Sequence, residues 1–167
     1  MLKEYKFGFN IYGLLLFLII MIPNFIWFAV PAPNDVLRVE LVTEVIDAIA
    51  SVCQVLMVIS LCIFANIKSH KFHITPLIIL VIICCLIYFA SWVSYYAGVV
   101  NTGVILGLTI SPCLAFMLFA IDRKNMIAVV SSSVFLICHL IYVIAVWILS
   151  NFIECRKCLF MGVSRIL

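Results

Sequence analysis

Charge is what this chain has least of: seven Asp and Glu and ten Lys and Arg stand among 167 residues, 10% charged against 68% hydrophobic. Soluble domains carry about a quarter charged residues, so a solvated globular surface is excluded. A basic face is missing as well. The cations are scattered over short connections and the net charge is only +3, which excludes an electrostatic surface for nucleic acid. The sequence contains no GxGxxG, GxxxxGK[ST], HExxH or GxSxG, and no metal-ligand spacing repeats. Neither a cofactor nor a metal is called for, and an enzyme is the less favoured class. The three histidines are split, His70 and His73 in a basic connection and His139 in an apolar run.

What is present are five apolar stretches, about 8–30, 43–65, 74–98, 103–121 and 126–150. Each approaches the roughly 20 residues that cross a bilayer as a helix. They lack the alternation of barrel strands, and spanning backbone must satisfy its own hydrogen bonds, so helices are expected. The breaks agree: Pro31-Ala32-Pro33-Asn34-Asp35 is a turn signal, and Asp122-Arg123-Lys124-Asn125 is a tight charged turn. The expected fold is therefore all-α, a polytopic integral membrane protein with five transmembrane helices in one domain, 1–150, and a short polar tail, 151–167. Short connections make sequential helices antiparallel neighbours.

Lys3 and Lys6, Lys68 and Lys71, and Arg123 and Lys124 fall in alternate connections, whereas the first outer loop holds Arg38 among acids. By the positive-inside rule the amino terminus is cytoplasmic. That orientation sets the tail, with Arg156, Lys157 and Arg165, outside. The first stretch is long and has prolines where a signal peptide would be cut, so it reads as a retained span. The expected location is the cell membrane, multi-pass, with the lipid bilayer as first partner.

Polar residues enter the second stretch in steps of four and three: Glu40, Glu44, Asp47, Ser51 and Gln54. These steps keep one helix face, and polar groups inside a span usually face the bundle interior, a cavity or a partner. Glu40 and Glu44 are explained by the outer loop and the positive end of the helix, with Thr43 as N-cap. Gln54 lies about ten residues further in, roughly 15 Å, where capping explains nothing. The first stretch carries a similar row, Asn10, Gly13, Phe17, Asn24 and Trp27, with Pro23 beside Asn24. Gly13 reads equally as a close helix approach, Trp27 as an interfacial anchor, and Asn24 as an early helix exit.

In the third stretch Tyr88, Trp92 and Tyr95 share a face, read first as an interfacial aromatic belt and second as a wall for a cation or apolar ligand. Thr109, Ser111 and Pro112 read as a kink in the fourth. His139, with Tyr142 nearby, lies midway along the fifth, either a relay for a proton or a hydrogen-bonding strut between helices. Cys53, Cys62, Cys84, Cys85, Cys113 and Cys138 lie in apolar runs and act as small hydrophobes. Cys155 and Cys158 form a CxxC pair in the tail, suited to a disulfide if outside.

The function expected from these residues is binding or translocation of a small solute, a cation or a proton, in a polar vestibule between helices one, two, three and five. Its residues would be Asp47, Glu44, Gln54, Ser51, Asn24, Trp27, Trp92, Tyr95, His139 and Tyr142. The competing expectation is an interaction or immunity module, its stripe packed against a membrane-protein partner or a second copy. A membrane-embedded enzyme acting on lipid or thiol is the third.

Overall fold

The computed structural model describes residues 5–38, 44–66 and 73–163; the side chains of 44–47, 65, 142 and 146–163 lie outside the described part. Five long helices make up most of it, and four of their starts have a local cause. α1 (Ile11–Ala29) begins after Asn10, whose side chain accepts from the backbone N–H of Tyr12 and Gly13. α2 spans Glu44–Ile63. α3 (Pro76–Tyr96) starts with proline in its first turn, and the Thr75 hydroxyl accepts from Ile78 N. α4 (Thr102–Asp122) is capped by Asn101 accepting from Val104 N. A turn through Lys124, at φ 53°, leads into α5 (Met126–Val163), where Asn125 accepts from Ala128 N.

Among the described residues, four helices are long and apolar enough to cross a membrane: α1, α3, α4 and the Met126–Ala145 part of α5. In α2 the fully described part, Ala48–Ile63, is apolar but shorter than these. α5 continues unbroken to Val163, past residue 150, the expected limit of the fifth span. Residues 151–163 contain no proline, and Glu154, Arg156 and Lys157 are good helix formers, so loss of hydrophobicity does not end the helix.

α4 is the central element. Eleven of its 21 residues are buried, against four of 19 in α1, and it packs on both α3 and α5. α2 packs on α5, and α1 lies chiefly on α2. Two of these contacts are set by glycines. A Cβ on Gly13 would come within 2.9 Å of the Leu61 carbonyl oxygen, and one on Gly107 within 2.1 Å of Ser91 Oγ. The core around α4 is formed by Tyr88, Tyr95, Cys113, Phe116, Phe119 and Phe135.

A short antiparallel pair, β1 (Tyr5–Phe7) with β2 (Phe64–Asn66), was not expected from the sequence. Its register sets Tyr5 opposite Asn66, and the ladder runs on through Gly8 N to Ile63 O at 3.0 Å and Asn10 N to Cys62 O at 2.7 Å. The amino-terminal segment thereby satisfies carbonyls that the end of α2 leaves without intrahelical donors.

Candidate functional site

All five helices contribute to a cavity of about 280 Å³. It lies toward the end of the bundle where α1 and α3 finish and α4 begins. α1 supplies Asn24 and Trp27, and α2 supplies Ser51 and Gln54. α3 gives Tyr88 and Trp92, while Thr109, Pro112 and Phe116 come from α4 and Phe135 and His139 from α5. Six of the ten residues expected at the vestibule from the sequence thus meet here: Asn24, Trp27, Ser51, Gln54, Trp92 and His139.

Polar groups on the wall are sparsely engaged. Asn24 Nδ2 donates to the Tyr88 hydroxyl at 3.0 Å, linking α1 to α3 across the cavity. Gln54 Nε2 approaches the Met21 thioether at 3.8 Å, a weak acceptor. Thr109 returns its hydroxyl to the Ile105 carbonyl at 2.8 Å, as hydroxyls in apolar helices commonly do. The indole N–H of Trp92 is buried and has no hydrogen-bond partner among the described residues. His139 lies flat against Phe135, ring centroids 5.3 Å apart and planes 18° from parallel.

Tyr88, Trp92 and Tyr95 do not form a lipid-facing belt. They are 2%, 6% and 0% exposed, because their shared face turns into the bundle toward α1 and α4. Tyr95 stands apart from the cavity lining, and its hydroxyl donates to Asp35 Oδ1 at 2.9 Å. Glu44 and Asp47 occupy the first turn of α2 and Tyr142 lies in α5, with side chains outside the described part. Cys155 and Cys158 fall within α5, and their side chains are likewise outside it; Glu40 lies outside the described residues.

Above the cavity, a clasp holds the loop after α1. Trp27 Nε1 donates to both Asp35 oxygens, at 3.0 and 2.9 Å, and Arg38 Nε lies 3.3 Å from Asp35 Oδ2. The Arg38 guanidinium also donates to the Trp27 carbonyl and sits 4.9 Å from the Trp27 ring centre. Leu37, in the 3-10 turn Val36–Arg38, donates its N–H to the Tyr95 hydroxyl at 3.3 Å and reaches the cavity wall with its side chain. Tyr96 donates to the Val30 carbonyl at 2.7 Å, and Asn34 Nδ2 to Gly98 O at 3.2 Å. Asp35 therefore accepts from two helices at once.

Sequence spacing missed the contribution of α4. Thr109 and Pro112 were visible but read as a kink, and Phe116 carried no polar signal. Compared with family models, curated proteins and solved structures, the chain matches none, so its site is read from its own geometry.

Proposed function

We propose that this protein is a five-span, multi-pass protein of the cell membrane, its amino terminus cytoplasmic, that binds a small solute in the cavity between its helices. In this reading α2 is the fifth span, its shorter apolar part extended at the outer end by Glu44 and Asp47. One observation carries the reading. Side chains chosen from the sequence for their polar spacing on separate helices line a common cavity large enough for a small organic molecule. The outer end is the natural mouth, because the Asp35 clasp lies there and the polar stripe of α2 rises toward it. The same mouth would serve translocation, with binding in the cavity as its first step.

Asn24 and Gln54 orient the solute through their amides, while Trp27, Tyr88 and Trp92 provide contact area. Glu44 and Asp47 remain the residues on which a cationic or proton cargo would depend. Binding adds stability by mass action, roughly 2.7 kcal/mol when ligand is at a hundred times its dissociation constant. In lipid nanodiscs, a panel of small neutral and charged organic solutes should include members that raise the unfolding midpoint. Gln54→Ala and Asn24→Ala should lose at least half of that rise, whereas Leu15→Ala, on the exposed side of α1, should keep it. No rise with any solute, or an equal rise in all three variants, overturns the reading.

A further inference from the structure

The described walls of the cavity are helical except at one point. Among the lining residues Leu37 alone stands outside the five long helices, in the 3-10 turn Val36–Arg38. That turn joins parts of the bundle that otherwise meet little. α5 packs chiefly on α2 and α4, whereas the turn packs on α5 and is tied by hydrogen bonds to Tyr95 of α3 and, through Asp35, to Trp27 of α1. The chain after α1 therefore crosses the end of the bundle from α1 and α3 toward α5, and the Leu37 side chain closes on the space beneath it.

The ties that hold this crossing are polar and converge on one side chain. Asp35 accepts from Trp27 Nε1 with both oxygens, at 3.0 and 2.9 Å, and from the Tyr95 hydroxyl at 2.9 Å. The same hydroxyl accepts from Leu37 N at 3.3 Å. Val36 and Leu37 are only partly buried against the core. A segment with little buried apolar surface, held by a few side-chain hydrogen bonds, opens at lower free energy than the helices around it. Pro31 and Pro33 each fix a backbone φ, so the stretch leading to Asp35 moves as a stiff unit.

Trp27 belongs to both parts, since it donates to Asp35 and lines the cavity. A molecule that displaces its indole weakens the tie, and release of the tie frees the indole. We infer that residues 30–38 form a lid over the cavity, with Leu37 as its plug and Asp35 as its latch, and that solute passes when the bonds from Trp27 and Tyr95 to Asp35 break. The inference rests on the cavity being a binding site and adds how that site is reached.

Access to the cavity can be read without knowing the solute. Gln54→Cys supplies a thiol on the cavity wall, and native Cys62, 6% exposed at the far end of α2, serves as a control in the same molecule. Protein in nanodiscs is treated with methanethiosulfonate ethyltrimethylammonium, a water-soluble reagent that does not cross lipid, and the modification rate at each position is followed by tandem mass spectrometry. Adding Asp35→Asn or Tyr95→Phe weakens the latch with little change of shape. Either should raise the rate at position 54 roughly three- to tenfold, the effect of one net hydrogen bond on the open population, and leave Cys62 unchanged.

An unchanged rate at position 54 in whichever variant folds overturns the lid. A rise matched at Cys62 means that the whole bundle has loosened, and overturns Asp35 as a latch, as does failure of both variants to fold. Each of these results leaves binding in the cavity standing, because that reading is judged by stabilisation with solute and not by access of the reagent.

Discussion

At the scale of single residues, Asp35 does the most with one side chain. Its carboxylate accepts from Trp27 and Tyr95, residues of different helices, and pairs with Arg38 on its own turn. Hydrogen bonds to charged groups contribute about 1.5–3 kcal/mol each, while the pair with the 39%-exposed Arg38 is partly screened. Asp35→Ala should therefore lower stability by about 2 kcal/mol or more, with Asp35→Asn intermediate because it keeps one acceptor oxygen. Denaturation in mixed micelles measures both. Asn125 is the counterpart at the opposite end: it donates to the carbonyls of Ser60 and Phe64, both at 2.8 Å, and caps α5. Asn125→Ala should cost roughly 2–3 kcal/mol in the same assay, since two carbonyls and one amide lose their partner together. In the sequence both residues read only as turn formers. Turn propensity is local, whereas the partners of Asp35 and Asn125 lie up to 65 residues away.

Between elements, two glycines set close approaches of helix on helix. Inside a bilayer apolar helices gain little by hiding from lipid, so small residues that admit near contact fix the packing. Gly13 does this for α1 on α2, and Gly107 for α4 on α3. The two sites should respond differently. Gly13→Ala meets backbone, the Leu61 carbonyl, which cannot turn aside, and should destabilise by about 1–3 kcal/mol. Gly107→Ala meets the hydroxyl of Ser91, which bonds back to Ile87 O at 2.8 Å, with Ser91 Cβ behind it at 3.1 Å. Adding Ser91→Ala should recover most of the loss, a coupling that a double-mutant cycle reads directly.

The helices themselves were largely legible, because helical apolar runs begin just after Asn10, Thr75, Asn101 and Asn125, each with a capping side chain. The polar face of α2 was legible for the same reason, since steps of three and four survive in any helix. What periodicity could not show was which aromatic face turns inward. Tyr88, Trp92 and Tyr95 have the spacing of a belt and of a wall alike, and only the packing of α1 and α4 decides between them.

At the scale of the whole molecule, length constrains topology. α5 has 38 residues, about 57 Å at 1.5 Å per residue, against a hydrocarbon slab of about 30 Å. In the proposed five-span arrangement with a cytoplasmic amino terminus, its last turns, with Cys155 and Cys158, project into water on the outer side. A membrane-impermeant maleimide added to intact cells after mild reduction should then modify these two cysteines, and modification only after lysis would reverse the orientation. The β1–β2 pairing lay beyond reading from the sequence, because three-residue strands carry almost no pattern and their partners are about 60 residues apart.

That pairing has a consequence for how the protein is made. Chain emerges from the ribosome at about 5–20 residues per second, so Tyr5–Phe7 waits seconds for Phe64–Asn66. Once they meet, the first two helices form a loop of chain tied at its base. Into that base the later turn docks, through Tyr5 Oη accepting from Met126 N at 3.0 Å and Asn66 Nδ2 donating to Lys124 O at 2.8 Å. Assembly thus has a built-in order, in which a strand made before α1 becomes part of the seat for α5.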